Sequence, residues 1–245
     1  MNSSTRSERR EAQLVTTNFN LLMKAVAERC PGGSIPNDYL VIDLETTGFP
    51  NPRRAEYVVQ FGYAVVQGRQ MTDNYSTLLK TPPNWITPGA SEVTGITDEM
   101  IQKDGQEPAA FYTELIKLLE LYRSSGSMFV GHNLKRFDCP FLEANFKHYG
   151  FDFAFGPDEI IDTGMLFKAS QLFAAPADDE KLGAFFDRVG QTRSRAKWNL
   201  GFSAQRLGLD MKYGIDLSEA HDAAFDCRLT HLLLEELRRL ADVTG

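Results

Sequence analysis

The chain has 245 residues, 42% of them hydrophobic and 24% charged, an ordinary globular composition with room for one generous domain or two small ones. Its 26 Lys and Arg against 33 Asp and Glu leave a net charge of −7, which excludes the basic field of a histone-like or coating protein. Three scattered cysteines, Cys30, Cys139 and Cys227, exclude a disulfide framework and a paired-cysteine zinc site, and neither an apolar leader nor a run of about 18 apolar residues occurs, so a reducing, cytoplasmic setting without membrane contact is expected.

Met1 to Arg10 is polar. From Glu11 to Cys30, Leu14, Phe19, Leu22, Met23 and Val26 recur at roughly helical spacing until Pro31, Gly32, Gly33 and Pro36 end the run, which predicts a helical extension, residues 1–36, ahead of the main domain, residues 37–245. Tyr39 to Glu45, Tyr57 to Gln67 and Gln70 to Lys80 read as strands, the last two joined at Gly68 and Arg69 in an antiparallel hairpin. Helical periodicity covers Ala109 to Tyr122, a buried strand Ser127 to Val130, a helix about Phe137 to Tyr149, and a short strand Glu159 to Asp162. Thr163 to Phe173, Leu200 to Leu207 and Ser218 to Leu240 read as helices, with a polar insertion, residues 170–198, among them. Strands first and then alternating helices and strands describe an α/β fold, a mixed five-stranded sheet flanked by helices, and this order resembles the ribonuclease H-like architecture.

Within the first strand, Asp43 and Glu45 fall on one face while Ile42 and Leu44 point to the other. Two neighbouring carboxylates repel, so either their pKa values rise or a cation, best a divalent one, pairs with them. Asp178-Asp179-Glu180 has the same spacing but no flanking strand, and reads as a solvated charge run or helix start. Thr46-Thr47-Gly48 distinguishes the first pair, because a strand that ends in small residues lets backbone N–H groups approach a ligand. Asp138 falls near a helix start set by Pro140, and alone it reads as a capping acid. Asp226 lies at the edge of the buried stripe Phe225, Leu229, Leu232, Leu233 of the last helix, with His221 a turn or so before it.

Together these motifs, Asp43-x-Glu45-Thr46-Thr47-Gly48, Val93-Thr94-Gly95-Ile96-Thr97, His132-Asn133-x-x-x-Phe137-Asp138 and His221-Asp222-Ala223-x-x-Asp226, resemble the DEDDh 3′→5′ exonuclease family over about Tyr39 to Leu240. That family includes the proofreading subunit of bacterial DNA polymerase III and several RNA-trimming enzymes. The resemblance implies that Asp43, Glu45, Asp138 and Asp226 hold two divalent cations, Mg²⁺ or Mn²⁺, that His221 is the general base, and that Thr46, Gly48, Ile96 and Asn133 surround the terminal nucleotide. The sister group carries Tyr four residues before the last acid, where this chain has Asp222. Thr94 stands where many members have His, and the N-terminal helix and residues 170–198 have no counterpart.

Site chemistry agrees with the resemblance: four carboxylates carry about −4 and two divalent cations +4, a pair able to stabilise both oxygens of a phosphodiester displacement. An imidazole, ordinarily titrating near ~6.5, suits a base at neutral pH. The expected substrates are single-stranded or frayed 3′ ends of DNA or RNA, with a polymerase or repair protein as candidate partner. A metal-dependent endonuclease on the same fold and an inactive nucleic-acid-binding module are the rivals. Arg188, Arg193, Arg195 and Lys197 form an acid-free run before Trp198, and Arg193, Arg195 and Lys197 are candidate phosphate contacts, with Trp198 placed to stack on a base; the competing reading is a solvated loop.

Overall fold

A computed structural model describes residues 19–49 and 54–242; Leu14 and the polar start lie outside them. Its sheet is built from β1 (Tyr39–Thr46), β2 (Val58–Gln67), β3 (Gln70–Leu78), β4 (Met128–Gly131) and β5 (Ile160–Asp162) in the order β3-β2-β1-β4-β5. β1 and β3 run antiparallel to β2, whereas β4 is parallel to both β1 and β5. The β2–β3 hairpin turns on Gly68 and Arg69, with φ of 57° and 68°, the left-handed pair that a two-residue turn needs to match strand twist. Arg69 tolerates that conformation in a tethered turn: its N–H donates to Asn37 O and that of Gly68 to Asp38 Oδ1.

Alternation along β1 sorts the core into two layers. Tyr39 and Val41 face α1 (19–27), α6 (Thr163–Gln171), α7 (Leu182–Gln191) and α10 (Ala223–Asp242). Leu40, Ile42 and Leu44 face α4 (Pro108–Ser124) and α5 (Asp138–His148), where Tyr112, Leu115, Leu119, Leu142 and Phe146 are buried. Short helices α2 (Pro88–Thr94) and α3 (Asp98–Asp104) follow β3, and α8 (Leu200–Arg206) and α9 (Leu209–Tyr213) precede α10.

Three segments differ from the sequence reading. The N-terminal helix, read as an extension, contributes Phe19, Leu22, Met23 and Val26 to the larger core layer, so its apolar face is covered by the same helices that cover the sheet. Residues 170–198 are not simply polar: Leu182, Phe185, Phe186 and Val189 repeat at i, i+3, i+4 and i+7, and α7 buries all four. The surrounding charges of 177–181 and 187–195 mask that stripe in a composition reading. The helix read from Ser218 is also interrupted, with a 3₁₀ turn at Leu217–Glu219 and α10 starting only at Ala223.

Candidate active site

Asp43 and Glu45 continue the Tyr39–Val41 face of β1, the face that α10 covers. Gly62 stands opposite Asp43 in the β1–β2 register, and a Cβ there would come within 2.5 Å of the carbonyl of Ala223, the first residue of α10. The missing side chain therefore lets the first turn of α10 lie against the sheet, which delivers Asp226 beside Asp43. Gln60, opposite Glu45, clamps that turn: its Oε1 accepts from Ala223 N at 3.0 Å and its Nε2 donates to Asp222 Oδ2 at 2.8 Å. Asp222 Oδ1 caps the helix by accepting from Phe225 N.

His221 has φ of 72°, a left-handed conformation that costs a non-glycine residue roughly 1 kcal/mol or more. This backbone turn points its N–H at Asp226 Oδ2, 3.2 Å away, and leaves the half-exposed imidazole with Nδ1 4.0 Å from Glu45 Oε1. One ligand atom each from Glu45, His221 and Asp226 lies within 4.8 Å of the others. Asp138 arrives from the opposite layer at the start of α5, where it is buried and the nearby backbone of Asp138 itself and of Leu44 offsets part of the cost of its charge. β1 and β4 stop pairing at Val41 and Val130, short of Leu44.

Burial raises the pKa of all four acids: Asp43 and Asp138 stand well above the ordinary carboxylate range, Glu45 is pushed up to about 9 and Asp226 to about 6. Mutual repulsion adds to burial, most of all at Asp43, which faces the charges of Asp226, Asp138 and Glu45. Asp226 Oδ1 is buried with no hydrogen-bond partner. Crowded carboxylates with an unsatisfied oxygen are a hard donor set, suited to Mg²⁺ or Mn²⁺.

Beside this cluster opens a cavity of about 420 Å³, lined by Glu45, Thr46, Gly48, Phe49, Val93, Thr94, Phe137 and His221 among others. Thr46 and Gly48 thus border it. Ile96 does not; it is buried with Val59 and Ile101, and the stretch around it meets the cavity through Val93 and Thr94. Val93 to Thr97 also has a plain structural role, since Gly95 closes α2 in the left-handed region and Thr97 caps α3. Asn133 does not line the cavity either; its φ is 70° and its N–H donates to Asp162 Oδ1.

Asp162 and Gln60 escape sequence reading. Asp162 is fully buried, caps α6 through Met165 N, and accepts from Asn133 N and Lys135 N, so it shapes the loop that leads to Asp138. Its signal was its place at the end of a strand and the start of a helix. His132 is held neutral, burial pushing it down to about 4; since a carbonyl can only accept, Nε2–H donates to Trp198 O at 2.5 Å, while Nδ1 lies 3.0 Å from the Thr163 hydroxyl, whose single proton also faces Gly131 O at 3.1 Å. Trp198 stacks on His132 with centroids 6.3 Å apart, so its ring serves as an anchor. Of the basic run, Arg188 is committed to Glu180 at 2.6 Å, whereas Arg193, Arg195 and Lys197 are exposed. The pairing also explains the Asp178–Glu180 stretch, whose backbone carbonyls are gripped by Arg29.

A mixed five-stranded sheet with acids gathered at the carboxyl end of its central strand is the arrangement of a ribonuclease H-like nuclease. Residues 40–234 match the family model RNase_T, described as Exonuclease, and the chain belongs to that family. Its relatives include DNA polymerase III PolC-type of Thermotoga maritima, 36% identical over 104 residues, which make up 42% of this chain and 7% of that protein. DNA polymerase III subunit epsilon of Haemophilus influenzae is 28% identical over 166 residues, covering 65% of this chain and 60% of the subunit. E. coli exonuclease I in complex with a dA16 oligonucleotide has the same fold, with a TM-score of 0.60 at 21% identity over 85% of this chain and 43% of that one. The chain therefore matches a small part of the PolC-type polymerases and less than half of exonuclease I. Among the described residues no helix is long and apolar enough to cross a membrane.

Proposed function

We propose that the chain hydrolyses phosphodiester bonds one at a time from the free 3′ end of DNA or RNA, releasing nucleoside 5′-monophosphates. The observation that carries this reading is the convergence of Asp43, Glu45, Asp138 and Asp226 with His221 beside a cavity of about 420 Å³. When bound, two Mg²⁺ or Mn²⁺ ions held by the four acids supply charge neutralisation and polarisation of the scissile phosphate. Thr46, Gly48, Phe49 and Val93 receive the terminal nucleoside, so its 5′-phosphate falls beside Glu45. His221 acts as general base: with Nδ1 turned toward the Glu45 carboxylate, Nε2 is left to accept the proton of the attacking water. Ile96 and Asn133 support the walls of the site from behind the cavity lining. The relation to polymerase III proteins favours a polymerase or repair partner.

A 5′-labelled single strand separates the readings. Mg²⁺- or Mn²⁺-dependent shortening in single-nucleotide steps is expected; internal fragments would make the chain an endonuclease, and an uncut strand a binding module.

A further inference from the structure

Residues 192–198 join α7 to α8 and are fastened at both ends. At one end Lys168 Nζ, itself nearly inaccessible, donates to Thr192 O at 2.9 Å and Gly190 O at 3.1 Å, and Arg136 donates to Gly190 O at 2.7 Å. At the other end His132 holds Trp198 O, and Gln171 donates to Lys197 O at 2.9 Å. Every one of these anchors takes a backbone carbonyl. The side chains between them are turned outward: Arg193, Arg195 and Lys197 are exposed, and Arg193 and Arg195 make no hydrogen bond or ion pair among the described residues. A disordered arm would lose entropy in gripping a ligand, but a backbone already pinned has little left to lose.

Its location follows from the sheet. His132 and Arg136 belong to the stretch between β4 and Asp138, and His132 follows Gly131, whose partner in the β4–β5 register is Asp162. The loop is thus tied to the carboxyl edge on which the four acids gather, and in a chain of net charge −7 it is an acid-free cationic island.

We propose that this loop binds the phosphodiester backbone of the substrate strand upstream of the scissile bond, an inference that rests on the nuclease reading above. Arg193 and Arg195 supply the contacts, as guanidinium groups suited to phosphate oxygens. An acidic protein partner is the competing occupant. Each phosphate contact releases counterions, so it is read in the salt dependence of binding, at a slope of about 0.7 per contact on a single strand.

The test measures fluorescence anisotropy of a labelled 12-nucleotide single strand, with Ca²⁺ loading the acids, for the wild type and for Arg193→Gln/Arg195→Gln across a salt series. Roughly tenfold weaker binding and a slope lower by about 1.4 are expected in the variant, with an unchanged unfolding midpoint because both side chains are exposed. Equal affinity and slope would overturn the proposal, as would a wild type that ignores the oligonucleotide yet binds poly-glutamate through these arginines. Mononucleotide release from the same strand with Mg²⁺ is scored separately: a wild type that binds through the loop without releasing nucleotides would sink the exonuclease reading and leave the phosphate-binding loop standing.

Discussion

Gln60 and Asp222, far apart in the chain, are joined by a 2.8 Å hydrogen bond that locks the residue following His221 to the central antiparallel pair of the sheet. The same amide holds Ala223 N, so a single side chain sets both the start of α10 and the left-handed turn at His221. Gln60→Ala is expected to lower kcat by about tenfold while KM changes little, since it loosens the turn that carries His221 and leaves Thr46, Gly48, Phe49 and Val93 in place. Steady-state kinetics check this, with the unfolding midpoint recorded alongside; a fall in midpoint without a fall in kcat would make Gln60 a fold residue only.

His221→Ala should lower kcat by about 10² to 10⁴, equivalent to roughly 3–5 kcal/mol of barrier. The acidic limb of the pH–rate profile should vanish with the imidazole. Retention of both rate and limb would leave His221 a bystander.

Titration of the acids predicts an uncommon pH dependence for the metal-free protein. Unfolded carboxyls titrate near ~4, whereas folding raises Asp226 to about 6, Glu45 to about 9, and Asp43 and Asp138 well upward. The folded state then binds more protons than the unfolded one between these limits, so stability falls as pH rises through the window, by up to about 1.4 kcal/mol per pH unit for each retained proton. His132, held neutral at about 4, works in the opposite sense, but its effect is complete by roughly pH 7. Thermal unfolding in EDTA should therefore show a midpoint that drops from about pH 7 to about pH 9, and Mg²⁺ should restore it. Asp43→Asn should flatten the drop while abolishing turnover; an unchanged slope would mean that the acids do not interact.

Phe185→Ala removes a fully buried ring from α7 and should cost about 3–5 kcal/mol, as in other core aromatic truncations. Denaturant unfolding measures it. A loss below about 1 kcal/mol would show that α7 is dispensable to the core.

Alternation along β1 and the helical stripes of α4, α5 and α10 are local patterns, and they sufficed for the sheet and its flanking layers, whereas Asp43, Glu45, Asp138, Asp226 and His221 were singled out together only by the motif resemblance. What local pattern cannot carry is contact between distant segments. Gln60 reads as one polar residue in an apolar strand, and the partners by which it holds α10, Asp222 and Ala223, lie more than 160 residues away. Asp162 reads as a strand terminus, although it organises the approach to Asp138 through backbone N–H groups that have no sequence signature. Ile96 sits inside a motif near the site, but the motif's capping geometry turns it into the core and brings Val93 and Thr94 to the cavity. In α7 the helical stripe was present, and the charged neighbours concealed it.

The first acids of the cluster come from β1, near the beginning of the described chain, and the last comes from α10, its final element. During synthesis the sheet can form while Asp226 and His221 are still inside the ribosome, so a nascent chain carries three of the acids and, on the proposed function, no base. The acid cluster is completed in one late step, when Ala223 settles on Gly62. On the proposed function, a molecule cut ahead of α10 would keep the sheet and lack a complete site.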